Sequence, residues 1–470
     1  MDTENPGGGQ ALRKKERNGY RMGFLFKSRH LSSFQIIIIG FVAVILAGSL
    51  LLMLPCSTRE AGGASFTDAL FTSTSAVCVT GLVVHDTVTY WSLFGQAVIL
   101  VLIQIGDMGV VTVAVSVAII SGKKIGLMQR STMQEAISAP QMGGIIRLTG
   151  FIIRSVILIE LIGAVALATV FCREFGIWKG IWYSVFHSIS AFCNAGFDLM
   201  GFREQFSSLT AYTGQPVVNL TIMLLIITGG LGFLTWDDIR TNGFRLRQYR
   251  MQSKVILTVT GILILLPALF YYFVEFSPAD WPEMTASERI WASLFQTVTP
   301  RTAGFNTVDL TQISQAGLMI MILLMLIGGA TGSTAGGIKT TTVAVLFASA
   351  VSVFRRRAEA SCFGRRIAGE TVRHASAILL MYLVLFFGGG IAVSAIEDLP
   401  ILTALFETGS AVGTVGLSLG ATPDLGTASR LILIALMFFG RVGGLTLIYA
   451  AVSGVRPDVS RLPQEKINVG

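Results

Sequence analysis

A loop of small residues, Gly413-Thr414-Val415-Gly416-Leu417, joins an amphipathic run at 401–412 to an apolar run that begins at Leu431. Alone, this loop would be an ordinary glycine turn between two helices. The same succession of helix, glycine-containing loop and apolar helix recurs at Val79-Thr80-Gly81, Asn194-Ala195-Gly196 and Thr302-Ala303-Gly304. Counted to Gly416, the four glycines are 115, 108 and 112 residues apart. Four such copies in one chain predict a pore with four repeats around a pseudo-fourfold axis.

The composition indicates a polytopic membrane protein. The chain has 470 residues, of which 52% are hydrophobic and 13% charged, and its mean hydropathy is +0.69. It is therefore more apolar and less charged than a typical soluble domain. A membrane-spanning helix needs about 20 apolar residues. Runs near that length predict eight transmembrane helices, at 34–54, 93–120, 150–171, 216–236, 254–274, 314–350, 376–395 and 431–452.

The distribution of basic residues predicts the orientation. Five segments contain 25 of the 35 Lys and Arg residues, and cytoplasmic loops carry such an excess. Both termini are therefore predicted to be cytoplasmic. This topology and anionic membrane lipids explain the net charge of +8 without nucleic-acid binding. The first span is interpreted as a retained helix rather than a secretory signal. The five basic segments are 1–33, 122–148, 240–254, 351–373 and 454–470.

Each repeat is predicted to cross the membrane outward, return part of the way as a short helix and loop, and cross inward again. The short helix at 286–298 has 13 residues, which rise about 20 Å and cannot span. Non-helical backbone at membrane depth is tolerated where it lines a cavity or is buried in protein. The fold class is therefore all-α, with four parallel repeats. The predicted pore helices are 66–76, 178–192, 286–298 and 401–412. The predicted boundaries are an N-terminal segment 1–33, repeats at 34–121, 122–239, 240–350 and 351–453, and a tail 454–470.

The four loops contain the elements of a cation filter. Backbone carbonyls replace the water shell of a cation without binding it too tightly to release. Glycine adopts positive φ, so successive carbonyls can point to one side. Thr80, Thr302 and Thr414 could add hydroxyl oxygens or brace their loops, and the pore helices direct their negative ends toward the loops. The predicted filter residues are Val79, Thr80, Gly81, Asn194, Ala195, Gly196, Thr302, Ala303, Gly304, Thr414, Val415 and Gly416.

Two of these loops carry a specific resemblance. Thr299-Pro300-Arg301-Thr302-Ala303-Gly304-Phe305-Asn306-Thr307 and the segment from Ser410 to Ser418 resemble the membrane subunit of bacterial Ktr potassium uptake systems, in the Trk/Ktr/HKT superfamily. The resemblance covers about residues 34–453. It implies K⁺ uptake, often stimulated by Na⁺, by a homodimer whose protomers each have a pore. It also implies regulation by a cytosolic nucleotide-binding ring of the RCK type, with no nucleotide bound by this chain. None of the loops has the full Thr-Val-Gly-Tyr-Gly of potassium channels, so looser selectivity is expected.

The return span of the third repeat contains a glycine-rich break. Five glycines occur in the ten residues 328–337, and each costs a helix interior about 1 kcal/mol. The break is predicted to lie beneath the filter as a gate; a packing kink is the alternative. A phosphate-binding loop requires Lys directly after the second Gly, but Ile338 intervenes. The predicted gate residues are Gly328, Gly329, Gly332, Ser333, Thr334, Gly336, Gly337, Lys339 and Arg441.

Three further observations bear on charge and function class. Arg441 resembles an arginine of the family near the gating loop, Glu160 is interpreted as half of a structural ion pair, and Asp107 as pore-lining or helix-packing. An intramembrane enzyme would need convergent catalytic groups, and neither these nor paired cysteines or a histidine metal cluster is evident in the sequence. A coupled secondary transporter, with K⁺/Na⁺ or K⁺/H⁺ symport, is the closer rival, but such carriers commonly have inverted repeats.

Overall fold

The structure is a computed structural model that describes residues 32–60, 62–110, 112–113, 126–137, 144–444 and 446. Within these ranges the chain is helical apart from one short hairpin, so the all-α prediction is confirmed. The predicted cytoplasmic tail and all but the last two residues of the predicted N-terminal segment lie outside the described residues.

The first repeat begins with a capped helix. The Ser32 side chain accepts a hydrogen bond from the Gln35 N–H, and the Gln35 side chain accepts one from the Ser32 N–H. These two bonds form a capping box. The Ser65 and Ser92 side chains cap the next two long helices by each accepting one backbone N–H hydrogen bond. The helices are α1 (Ser33–Leu52), α2 (Phe66–Val77), α3 (Thr87–Tyr90) and α4 (Leu93–Met108), followed by α5 (Leu127–Ile137).

The second repeat has a long helix and a pore helix packed closely together. Gly180 of the pore helix permits this approach, because a Cβ there would lie 2.4 Å from Cys172 Cα. The return helix begins with Pro216, which suits a first helical turn. These helices are α6 (Ile145–Phe175), α7 (Ile177–Phe192), α8 (Pro216–Gly230) and α9 (Phe233–Asn242).

The third repeat contains the predicted break. Its pore helix has a capping box between Thr285 and Glu288, and its return span is divided at residues 327–339. The glycines of that segment account for the division. The helices are α10 (Met251–Phe270), which continues as one π-helical stretch (Tyr271–Glu275), α11 (Ala286–Val298), α12 (Gln315–Leu326) and α13 (Thr340–Phe354).

The fourth repeat follows a hairpin on the side predicted to be cytoplasmic. The strands β1 (Ser361–Cys362) and β2 (Arg365–Arg366) pair antiparallel around a turn at Phe363 and Gly364, both with positive φ. The helices are α14 (Gly369–Glu397), α15 (Ile401–Gly413) and α16 (Thr427–Val442).

Helix length separates two kinds of span. Among the described residues, four helices are long and apolar enough to cross a membrane, and they are the outward helices of the four repeats: Ser33–Leu52, Ile145–Phe175, Met251–Glu275 and Gly369–Glu397. The return helices are shorter, and α8 and α9 form a pair bent by 97°. Within the described residues, the return spans predicted at 93–120, 216–236 and 431–452 are interrupted, because those helices end at Met108, Gly230 and Val442. The count of eight spans stays a prediction.

Candidate functional site

The four predicted filter glycines meet in one closed ring. A Cβ at Gly81 would lie 2.4 Å from the Ala195 carbonyl oxygen, and one at Gly196 would lie 2.8 Å from the Ala303 carbonyl oxygen. The contacts continue from Gly304 to the Val415 oxygen and from Gly416 to the Thr80 oxygen, at 2.4 and 2.3 Å. Each loop thus contacts the next in chain order, and the fourth contacts the first. No side chain fits between neighbouring loops.

The backbone of each loop alternates in the same way. All four ring glycines have positive φ, between +70 and +96°. The residue two positions before each glycine also has positive φ, and these residues are Val79, Asn194, Thr302 and Thr414. Left-handed backbone is costly for such side chains. Its recurrence in all four loops indicates that one carbonyl arrangement is repeated around the ring.

Hydrogen bonds behind the loops hold this backbone. The Ser75 and Ser410 hydroxyls accept from the Gly81 and Gly416 N–H groups, both at 3.0 Å. The Ser190 and Thr299 hydroxyls donate to the carbonyls of Phe197 and Phe305. The hydroxyl residues in the C-terminal turns of the pore helices therefore brace the loops.

Several polar atoms on the inner side of the ring lack a partner. Thr80 Oγ1, Thr414 Oγ1 and Asn194 Oδ1 are buried and have no hydrogen-bond partner among the described residues. Asn194 Nδ2 donates to Thr302 Oγ1 of the neighbouring loop, at 3.3 Å. Buried polar atoms in proteins normally have a partner, so the unpartnered oxygens fit water or a cation.

The predicted gate segment lies directly under this ring. A Cβ at Gly336 would lie 2.0 Å from Thr414 Oγ1, and one at Gly328 would lie 3.3 Å from a Thr302 methyl carbon. Ile327 and Ile338, near the two ends of the segment, form a parallel β-bridge. We call residues 327–339 the gate loop. Gly328 and Gly336 of the predicted gate therefore contact filter residues of the third and fourth repeats.

Two basic side chains hold the gate loop. Arg441 Nη1 donates to the Thr334 carbonyl, while its Nη2 donates to the carbonyls of Gly106 and Asp107 at 2.7 and 3.1 Å. Lys339 Nζ donates to the Ala335 carbonyl at 2.6 Å. Arg441 therefore links the loop to the first repeat, whereas Lys339 closes the loop on itself.

The other return helices break at matching positions. They end at Met108, Gly230 and Val442, and each break includes a glycine with φ between +79 and +85°. Sequence reasoning found the third break and missed these. The sequence signal for these breaks is a G-x-x-G pattern that occurs in every repeat, at 106–109, 229–232, 329–332 and 440–443.

This pattern assigns a place to Asp107. Asp107 and Arg441 both follow the first glycine of their G-x-x-G, and Asp107 Oδ1 lies 3.9 Å from Arg441 Nη2. Asp107 also lines a cavity of 380 Å³ beneath the filter, together with Lys339 and Arg441. This cavity supports the pore-lining interpretation of Asp107, which stays a prediction beside the helix-packing one.

The interpretation of Glu160 as an ion-pair residue is wrong. In the described part of the chain its carboxylate has no cationic partner and instead accepts a hydrogen bond from Gln104 Nε2 at 3.1 Å. Gln104 lies on α4, which packs here against the second repeat. The Gln104 amide, rather than a cation, therefore provides the hydrogen bond to the buried Glu160 carboxyl group.

A second cavity, of 190 Å³, lies on the other side of the ring. We call it the outer vestibule; its walls include Asp86, Asp198 and Asn306. Asp86 Oδ2 accepts from the Phe206 N–H at 3.2 Å, which ties the first repeat to the second. Burial raises the pKa of Asp198 to about 7, opposed by the Met200 N–H and reinforced by the Asp86 charge. Carboxylates at a cation pathway raise the local cation concentration.

Together, the ring, the two cavities and the loop between them define a membrane pore suited to cations. The family model of the TrkH cation transport proteins matches residues 25–458. The chain is 40% identical to the potassium/sodium uptake protein NtpJ of Enterococcus hirae, covering 94% of this chain and 98% of the relative. It is 41% identical to the Ktr system potassium uptake protein B of Bacillus subtilis, covering 93% and 96%.

The fold agrees with these matches. The crystal structure of the potassium transporter TrkH from Vibrio parahaemolyticus superimposes with a TM-score of 0.67 at 20% identity, over 93% of this chain and 87% of that one. The chain belongs to the TrkH family of cation transport proteins.

Proposed function

We propose that this protein carries K⁺ into the bacterial cell through the ring of four glycine loops. The observation that carries the proposal is the closed cycle of contacts from Gly81 through Gly196 and Gly304 to Gly416. Rings of backbone carbonyls are what K⁺ needs in place of water. The names of the similar proteins, which specify potassium or potassium and sodium uptake, support K⁺ as the cargo.

The filter is expected to hold fewer ions than a potassium-channel filter. The alternating positive-φ backbone covers a short stretch in each loop, so the carbonyl rings are few. The side chains at the inner end differ between repeats, with Val79, Asn194, Thr302 and Thr414 in matching places. Both features support looser discrimination against Na⁺, and Na⁺ is proposed as an activator.

The gate loop is proposed to close the path between the filter and the cytosol. Its contacts with Thr414 and Thr302 support this proposal. Its backbone is held by a few hydrogen bonds to side chains, notably those from Arg441 and Lys339. A segment held in this way can exchange between two arrangements with a modest change in free energy.

The assembly and its place in the membrane are proposed as well. Eight spans, in four parallel repeats, would place both termini in the cytosol of a bacterial inner membrane. We propose a homodimer in contact with membrane lipids, regulated by a cytosolic nucleotide-binding ring of the RCK type. The relatives named as component B of a Ktr system support association with other components.

Uptake of K⁺ or Rb⁺ tests the proposal. The full chain is expressed in a bacterial strain that lacks K⁺ uptake, with and without a cytosolic ring subunit. We expect growth at low K⁺ and saturable uptake that runs down the gradient. Absence of uptake with confirmed membrane expression would contradict the function. A fixed stoichiometry of Na⁺ or H⁺ per K⁺ would favour the coupled transporter instead.

A further inference from the structure

A line of polar side chains runs behind the second filter loop. Asp107 lies at one end and lines the cavity beneath the filter. Cys193, which directly precedes the filter residue Asn194, lies 3.8 Å from Glu160 Oε1 and 3.6 Å from Gln104 Oε1. Glu160 ends the line in the middle of α6. These residues are buried or partly buried between the first and second repeats.

Among the described residues, no cation lies beside Glu160. The Arg441 guanidinium lies 3.9 Å from Asp107 Oδ1, and Lys339 donates to the Ala335 and Gly336 carbonyls of the gate loop. Asp107 is the other carboxyl group that faces Glu160. The remaining groups around Glu160 are uncharged: the Gln104 amide on α4, the Ser188 hydroxyl on α7 and the Cys193 thiol at the end of α7. An ionised Glu160 would be a buried charge without a cation beside it, which is expensive.

The two carboxyl groups differ in how they can be neutralised. Asp107 has Arg441 at 3.9 Å, although neither of its oxygens has a hydrogen-bond partner among the described residues. Glu160 has an amide and a thiol as neighbours, and its backbone carbonyl accepts from the Ser188 hydroxyl at 2.6 Å. A metal cation at Asp107 would lie beside the guanidinium. A proton bound to Glu160 neutralises its carboxylate and, unlike a metal cation, needs no set of coordinating ligands.

We propose that Glu160 is a proton-binding site that positions the second filter loop. With the proton bound, Glu160 is neutral and the Cys193 contact is weak. Without it, the carboxylate accepts from the Cys193 thiol and adds a negative charge behind Asn194. The proton comes from water in the cavity beneath the filter and passes by Asp107 and Cys193. This effect on uptake rests on the proposed K⁺ pore, while the proton site itself does not.

Infrared difference spectroscopy between mildly acidic and alkaline pH tests the site on the purified full chain. In proteins that carry Asp198→Asn, which removes the other carboxyl group that titrates in this range, we expect a protonated-carboxyl C=O band that disappears in Glu160→Gln, shifts in Glu160→Asp and persists in Asp107→Asn. Glu174→Gln is the matched control, because Glu174 lies on the same helix but pairs with Arg203. A band that persists in Glu160→Gln, or disappears only in Asp107→Asn, would overturn the assignment.

Uptake in proteoliposomes tests the effect on the filter. The apparent K⁺ affinity should rise several-fold as pH rises in the native protein, since a charge near the path attracts cations. It should be independent of pH in Glu160→Gln and pH-dependent again in Glu160→Asp. Every protein in this comparison, including the reference with Glu160 intact, carries Asp198→Asn, so that the outer vestibule does not contribute. An unchanged pH profile in Glu160→Gln would overturn the positioning role. If no variant transports K⁺, the infrared result still decides the proton site.

Discussion

The filter loops and the gate loop are both rich in glycine, but their glycines contact different partners. Each filter glycine faces a carbonyl of the next repeat, so the four positions depend on one another. The gate loop occurs in one repeat and is held by backbone hydrogen bonds to Gly229 and Gly230 and by the side chains of Arg441 and Lys339. Backbone packing against backbone tolerates little displacement. Hydrogen bonds from side chains can be released singly. We therefore expect the ring to set ion preference and the gate loop to control opening.

The largest effect is expected from Gly304→Ser. A Cβ at this position would lie 2.4 Å from the Val415 carbonyl oxygen, at a φ of +84°. Because about 1.4 kcal/mol corresponds to a tenfold change and such backbone strain costs about 1–3 kcal/mol, preference for K⁺ over Na⁺ should fall about tenfold or more. Competition of Na⁺ with Rb⁺ uptake measures it.

Gly364→Ser is the matched control for that substitution. Gly364 has a φ of +73° in the exposed hairpin, and a Cβ there would meet no atom within 4 Å. It reproduces the backbone strain without the crowding, so ion preference should be unchanged. Equal preference in Gly304→Ser and the native protein would remove the ring from ion selection.

Arg441→Ala should have the next largest effect. It removes three hydrogen bonds that join the gate loop to the first repeat, and bonds from a charged donor contribute about 1.5–3 kcal/mol each. K⁺ flux without a regulatory subunit should rise about tenfold while ion preference stays intact. Arg366→Ala, at an exposed arginine of the hairpin, is the control. Reduced flux in Arg441→Ala would show that the loop supports conduction.

Lys339→Met should act in the same direction with a smaller magnitude. Its two hydrogen bonds end on Ala335 and Gly336, within the gate loop itself. The loop would lose internal order but keep its tether to the first repeat, so unregulated flux should rise about two- to fivefold. Measurements of K⁺ flux in Lys339→Met and Arg441→Ala under the same conditions test whether the first effect is the smaller. An increase as large as that of Arg441→Ala would place the closing force inside the loop.

Asp198→Asn should have the smallest effect and should alter neither the filter loops nor the gate loop. The pKa of Asp198 is raised to about 7, so its carboxyl group is neutral below that pH and charged above it. In a Glu160→Gln background, K⁺ affinity should therefore increase about twofold as external pH rises through this value, and adding Asp198→Asn should remove this dependence. Initial uptake rates at several external pH values measure it. A pH dependence that survives the substitution would assign it to another group.

The filter and its pore helices could be predicted from the sequence because their signals are local. The four observed pore helices begin and end within one residue of the predicted limits, as in Ile177–Phe192 and Ile401–Gly413. The gate break was predicted from five glycines in ten residues. In these segments backbone conformation depends on residues a few positions away.

The remaining features depend on distant partners. Arg441 bonds to Gly106, 335 residues away, and Gln104 satisfies Glu160 across 56 residues. No local pattern indicates whether a buried carboxyl group will meet an amide or a cation. The breaks in the first, second and fourth return helices were detectable, since the G-x-x-G pattern recurs, but each contains fewer glycines than the third.

The contacts that close the ring have a consequence for biosynthesis. The first repeat meets the fourth through the Gly416 contact with Thr80 and through Arg430, whose Nη1 lies 2.7 Å from Asp68 Oδ1, 362 residues earlier. A chain that emerges from the ribosome N-terminus first must hold three repeats in the membrane before the fourth supplies these partners. Pore formation is therefore expected to be the final step of assembly, and a chain truncated before Ile401 should insert without forming a pathway for ions.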